Sequence, residues 1–203
     1  MVNTVNIMTM KEYILSASYG NDSIALIQWA YEQGLKDVAV LYCDTGWAAP
    51  YWNKRVEEAE AWVESLGYTA HRTQSDGFVA LAKRKKAWPY NGAQFCTKEL
   101  KIKPALDWME EYDPVKDAVV MIGIRRAESR HRATHAEWTY DSENHGGRDL
   151  HAPLVRHTDA DRDKLLAATP FEALPHRSME CYPCINANRS SNWTSLAWLR
   201  LRR

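Results

Sequence analysis

The chain has 203 residues, 26 lysines and arginines against 26 aspartates and glutamates, and 45% hydrophobic residues. That is enough apolar sequence for one good core, and a balanced charge argues against a dedicated nucleic-acid coat, although Lys83-Arg84-Lys85-Lys86 and the run from Arg125 to Arg132 could hold phosphates locally. No stretch approaches about 18 consecutive apolar residues, and no charged N-terminal region precedes an apolar signal core, so a cytoplasmic protein without a membrane span is expected.

In chain order, the apolar run Tyr13 to Leu15 ends at Ser16 and is followed by Ser18-Tyr19-Gly20-Asn21-Asp22-Ser23 and then Ile24-Ala25-Leu26-Ile27. This reads as strand, phosphate loop, helix. Gly20 lets the backbone approach an anion, Ser18 and Ser23 supply hydroxyls, and the N–H groups of the opening helix favour negative charge. The same residues also make ordinary turns and N-caps. No Gly-Lys-Ser/Thr follows, so the loop is not of the Walker type. The helix from Ser23 to Gln33 is closed by Gly34, and Val38 to Tyr42 reads as a buried strand.

The loop after that strand is Asp44-Thr45-Gly46, where a carboxylate and a hydroxyl can hold a ribose, an adenine edge or a magnesium ion. Trp52, Val56, Ala59, Val63 and Leu66 recur at helical spacing, Gly67 stops the helix, and Tyr68 to Arg72 is a third strand. Ala118 to Ile122 is a fourth, followed by Gly123-Ile124-Arg125-Arg126-Ala127-Glu128-Ser129-Arg130-His131-Arg132. Arginines at a strand end suit a phosphate or sulfate, because the guanidinium fork matches oxyanion geometry. His131 and His135 read as part of a solvated charged helix face rather than as metal ligands, and Tyr140 to Asp149 reads as a mobile loop able to order over a ligand. Strands alternating with helices predict a parallel α/β sheet with right-handed crossovers, helices on both faces and ligands at the carboxyl ends of the strands.

Taken together, Ser18 to Ser23, Asp44-Thr45-Gly46, Cys96-Thr97-Lys98 with Leu100-Lys101-Ile102-Lys103-Pro104, and Gly123-x-Arg125 with Glu128, Ser129 and Arg132 resemble the successive motifs of the phosphoadenosine phosphosulfate (PAPS) reductase family, within the PP-loop adenine nucleotide alpha hydrolases. The resemblance spans roughly residues 10 to 190, and Asn21 stands where that family often has a lysine. It implies a HUP-like, Rossmann-like fold, with residues 1–155 as the nucleotide-binding core and 156–203 as a C-terminal segment packed on it in one domain. It further implies an adenine nucleotide held by Ser16, Ser18, Tyr19, Gly20, Asn21, Ser23, Asp44, Thr45, Gly46, Gly123, Glu128 and Ser129. Asp22, Lys98, Arg125 and Arg132 would act in the reaction, Asp22 and Asp44 would help hold Mg2+, and Arg126 and Lys101 are further phosphate contacts.

Four cysteines fit metal or redox chemistry better than a secreted disulfide framework. Cys181-Tyr182-Pro183-Cys184 is compatible with zinc, an iron–sulfur cluster or a redox pair. It resembles the C-x-P-C of the iron–sulfur adenylylsulfate (APS) reductases, in which an earlier Cys-Cys pair completes the cluster; here only Cys96 stands at that place. The implied metal ligands are therefore Cys96, Cys181 and Cys184, for a 4Fe–4S cluster with one open iron or for zinc with a histidine, while Cys43 reads as a small buried residue. The reductases also carry a Glu-Cys-Gly-His type tail whose cysteine attacks the sulfate sulfur, and no cysteine follows Cys184 here.

Three readings follow. The first is attack on the α-phosphate of ATP with pyrophosphate release, extending to sulfur transfer from a donor, as the DNA phosphorothioation and tRNA thiolation branches suggest by resemblance. The second is reduction of PAPS or APS by a thiol reductant. The third is a nucleotide-binding sensor or partner subunit without turnover. The apolar and basic tail from Trp198 to Arg203 could support docking on the core, a homodimer or contact with a polyanion, and nothing in the sequence reads a nucleic-acid base.

Overall fold

The computed structural model describes residues 13–90 and 93–185; the tail from Trp198 to Arg203 lies outside them. β1 (Tyr13–Ser16), β2 (Val38–Asp44), β3 (Thr69–Gln74), β4 (Val119–Ile122), β5 (Trp138–Ser142) and β6 (Arg148–His151) form one six-stranded sheet in the order β3-β2-β1-β4-β6-β5. The pairings are parallel from β3 through β6, with Leu15 opposite Val40 on one side and Met121 on the other, and only β5 runs antiparallel.

Successive strand residues face opposite sides of a sheet, and the two cores follow that alternation. Leu15, Val38, Val40, Tyr42 and Met121 pack against α1 (Asn21–Glu32), α2 (Trp52–Ser65) and α6 (Asp159–Ala167). Ile14, Leu41, Val120 and Leu150 pack on the opposite face against Met109 of α5 (Lys103–Tyr112). The sheet is thus covered on both sides, and the continuous apolar run of β2 is the sequence signature of that double burial. A third cluster of Trp47, Phe78, Leu81 and Leu100 joins the loop after β2 to α3 (Phe78–Lys85). The one-turn α4 (Phe95–Thr97) leads through a π-helical stretch, Lys98–Ile102, into α5, which carries Pro104 in its first turn.

Two sequence expectations are corrected. Residues 140–149 are not a mobile loop: β5, a short turn and β6 make an antiparallel hairpin at the sheet edge, with Gly146 and Gly147 at positive φ in the connection. Residues around His131 form a single 3-10 turn, Arg130–Arg132, and no longer helix.

The hairpin is fixed by a buried charge. Arg148, fully buried, donates from Nε to Asp113 Oδ2 at 2.7 Å and from Nη2 to Met109 O at 2.8 Å, while Asp113 accepts the N–H groups of Asp117 and Ala118, each at 3.2 Å. Such a pair adds little net stability against an apolar replacement of both partners, but removing one partner strands the other. Arg148→Met is expected to lower unfolding free energy by about 3–5 kcal/mol in urea titration, with the Asp113→Ala/Arg148→Met double variant recovering part of the loss.

Candidate functional site

β1 and β4 are neighbours whose chains depart in opposite directions, β1 to β2 and β4 to β6, so a crevice opens beyond their carboxyl ends. One wall is the loop from β1 into α1. Its Ala17 N–H is tied to Leu41 O at 2.8 Å, and Gly20 occupies the N-cap of α1 with an extended backbone and no side-chain capping bond. The Ser23 hydroxyl turns back onto Gly20 O at 3.1 Å, and Ser18 Oγ accepts the Gly20 N–H at 3.4 Å. The start of this 12-residue helix therefore presents its first N–H groups and its positive dipole end without a side-chain cap, which favours an anion. Ser16 is exposed at the end of β1. Tyr19 is fully buried at φ 55, stacked on Tyr42 with ring centroids 5.6 Å apart, and contributes its backbone: its carbonyl accepts Arg55 Nε at 2.8 Å.

The other wall is the loop after β4. A Cβ on Gly123 would lie 2.7 Å from Asp22 O and 2.9 Å from Asp22 C, so only glycine lets β4 come this close to the first turn of α1. Beyond it Arg125, 2% exposed, pairs through Nε with Asp22 and through Nη2 with Asp159 Oδ1 at 3.0 Å, joining α1 to the start of α6. Its Nη1 is buried with no hydrogen-bond partner. Glu128 accepts the Arg125 backbone N–H at 3.1 Å and also pairs with Arg132. Arg126 folds the loop by donating to His135 O at 3.0 and 2.8 Å, and Ser129 stays exposed. Burial pushes the Asp22 carboxyl up, and the Arg125 hydrogen bond opposes that rise. Asp22, expected to help hold magnesium, is committed to orienting this guanidinium.

The loop after β2 and residues 174–182 meet over the same crevice. Asp44 Oδ1 accepts the Gly46 N–H at 2.8 Å, while Thr45 Oγ1 donates to Glu180 O at 2.8 Å. Ala49 N–H reaches Met179 O at 2.9 Å, and Tyr182 N–H reaches Trp47 O at 2.8 Å. The Asn21 carboxamide brackets Leu174, donating to its O at 3.0 Å and accepting its N–H at 2.9 Å. A Cβ on Gly20 would lie 2.9 Å from Ser178 Cβ. Residues 174–182 are thus a strap across the loops after β1 and β2. The side chains of Asn21 and Thr45, expected on the nucleotide, are engaged with it.

At the far end of the strap Cys181 and Cys96 pack against the Trp47, Phe78, Leu81 and Leu100 cluster. Cys181 is hydrogen-bonded with Cys184, and that bond followed by burial pushes its thiol well above the ordinary range, against the pull of Lys101. Lys101 pairs with Glu180; burial works against its ammonium, but Glu180 more than offsets this and leaves its pKa raised. Cys43 is buried, with Sγ donating to Lys101 O at 3.5 Å, while Lys98 is exposed. Among the described residues no group of three His, Cys, Asp or Glu side chains is arranged to hold a metal ion. Cys96, Cys181 and Cys184, expected as ligands, are neighbours that form no metal cage among the described residues. Asp159, Arg55, Ser178 and Glu180 carry no local motif, and sequence reasoning passed over them. Of these, Glu180 meets the π-helical stretch through Lys101, and such stretches are frequent at functional sites.

An uncapped helix N-terminus at the switch point of a mostly parallel sheet, faced by a tethered arginine, makes a crevice suited to an anion. The chain belongs to the phosphoadenosine phosphosulfate reductase domain family, whose pattern matches residues 12–196. An uncharacterized 37.8 kDa protein of Escherichia phage 186 is 30% identical over 123 residues, 56% of this chain but only 36% of that protein. Among solved structures, the phosphate complex of PAPS reductase from Candida auris superposes with a TM-score of 0.55 at 15% identity, covering 80% of this chain and 74% of that one. The U34-tRNA thiolase of Methanococcus maripaludis with its 4Fe–4S cluster gives 0.53 at 12% identity, over 84% and 64%. The FMN adenylyltransferase of Candida glabrata gives 0.52 at 13% identity, over 80% and 48%. These likenesses establish a shared fold. No helix among the described residues is long and apolar enough to cross a membrane.

Gly123→Ala is expected to push the first turn of α1 off β4 at a cost of about 1–3 kcal/mol, read by denaturant unfolding. Because the fold favours the neutral Cys181 thiol, stability falls as pH rises past the ordinary thiol pKa, and alkylation of Cys181 should still be accelerating above pH ~9, where a free cysteine peptide has levelled off.

Proposed function

We propose that the protein binds an adenine nucleotide over the loop from β1 into α1 and catalyses attack on the α-phosphate of ATP. The acceptor's nucleophilic oxygen forms the new bond to the α-phosphorus. The bond from that phosphorus to the oxygen bridging to the β-phosphate breaks, and pyrophosphate leaves with its magnesium ion, giving an adenylated acceptor. The observation that carries this reading is the Arg125 guanidinium: two of its nitrogens are fixed by Asp22 and Asp159, and the third is buried without a partner beside the helix start. A preorganised cation with one donor in reserve stabilises charge developing on phosphoryl oxygens without reorganising during the reaction.

In this reading the N–H groups at the start of α1 hold the phosphate chain with Ser18 and Ser16, and Arg132, set by Glu128, adds a second positive charge. Asp44 and Gly46 face the sugar or the metal ion. Family membership supports a nucleotide-dependent enzyme; pyrophosphate chemistry, sulfur transfer and the acceptor are this proposal's own.

The Cys181–Cys184 pair, close to the loop through Ser178, favours one alternative: reduction of PAPS or APS, with one thiolate displacing the nucleotide from sulfur and the second releasing sulfite as a disulfide forms.

Calorimetric titration and turnover assays with ATP·Mg2+ and with PAPS plus dithiothreitol separate these readings. Pyrophosphate release confirms the first, sulfite release the second, and tight binding without product would leave a sensor. Arg125→Lys, which keeps the charge but loses the fork, is expected to reduce turnover about 100-fold or more with a much smaller change in nucleotide affinity. Iron and sulfide content of anaerobically purified protein, compared with Cys96→Ala, Cys181→Ala and Cys184→Ala, tests whether these thiols bind a cluster.

A further inference from the structure

We infer that Asn21 is a positioning residue that clamps the C-terminal strap across the phosphate loop, so that a nucleotide on the loop governs access to the Cys181–Cys184 thiol pair. The inference deepens the proposed function and rests on it only for the identity of the ligand.

Asn21 is the first residue of α1, and its carboxamide makes both of its hydrogen bonds, 3.0 and 2.9 Å, to the backbone of one residue 153 positions away. A carboxamide alone among side chains of this length donates and accepts at once: a carboxylate would face the Leu174 carbonyl with an acceptor, and a lysine would have nothing to take the Leu174 N–H. From this anchor the strap has little freedom. Ser178 abuts Gly20, Met179 O and Glu180 O accept from Ala49 and Thr45, and the Tyr182 N–H donates to Trp47. Cys181 sits between two of these fixed residues, and Glu180 is further held by Lys101. The segment therefore moves as a unit, carrying the thiols with it.

A phosphate at the start of α1 lies beside Gly20, where Ser178 is the strap's nearest residue. A ligand held at the start of α1 therefore meets the strap at Ser178. Nucleotide and strap then stabilise one another, and by linkage whatever loosens the strap weakens the coupling in both directions. The consequence for chemistry is order: the thiols are least accessible while the nucleotide is intact on the loop.

The test is N-ethylmaleimide labelling of the full chain, read at each cysteine by mass spectrometry, with and without ATP·Mg2+ or PAPS at concentrations that calorimetry shows to saturate. In the native protein the bound nucleotide should slow labelling of Cys181 and Cys184 about fivefold or more. Asn21→Ala and Asn21→Asp should each raise their labelling without nucleotide by about fivefold or more and abolish the nucleotide's effect, while Cys43, buried in β2, stays unlabelled. Unchanged labelling of Cys181 and Cys184 in both variants overturns the clamp, as does a rise that Cys43 shares, which would report general unfolding. A nucleotide that binds without altering labelling overturns the coupling. Failure of both nucleotides to bind overturns the proposed function instead, and the two variants still decide the clamp.

Discussion

How closely the loop after β4 approaches the first turn of α1 governs the rest of the site. The separation leaves no room for a Cβ at Gly123 and brings Arg125 within reach of Asp22. That ion pair then draws in Asp159 and with it the start of α6, so three segments far apart in sequence are held by one guanidinium. Arginine suits the position because its charge persists despite burial and its planar fork can satisfy two carboxylates while keeping a nitrogen in hand. The cost of desolvating such a group is tolerable only because both carboxylates are present, which makes the network a unit rather than a sum of contacts.

The division of labour among the three loops follows from this. The loop into α1 supplies backbone N–H groups, the loop after β4 supplies fixed positive charge, and the loop after β2 is largely engaged in holding the strap. Side chains that look like ligand contacts on paper, Asn21 and Thr45, stabilise the frame. Groups that ligand binding uses best are those whose hydrogen-bonding capacity the fold has not consumed, and here these are mostly main-chain N–H groups and one arginine nitrogen.

The sequence made β1, the glycine-bearing loop and α1 legible because strand, glycine turn and helix are adjacent and each carries its own period. β2 was equally clear from its unbroken apolar run. β5 was not, because four of its five residues are exposed and its pattern lacks the alternation of a half-buried strand, while Gly146 and Gly147 read as an extended loop when they are only a tight turn. The Asp113 to Arg148 pair could not be read at all: the two charges stand 35 positions apart, and only the fold brings them together. The same holds for Asn21, whose role lies in a segment with no pattern of its own. The cysteine spacing pointed to metal or redox chemistry, but spacing fixes neither the angle nor the distance at which thiols meet.

The strap also has a consequence for how the protein is made. The loop into α1 is synthesised before the strap, and its Asn21 cannot meet its partner until Leu174, 153 positions later, has been translated. Closure over so long a separation is entropically slow and cannot precede assembly of the sheet. A nascent chain stalled after β6 but before that point would lack the strap over the crevice, so a part of the site synthesised early is among the last to be completed.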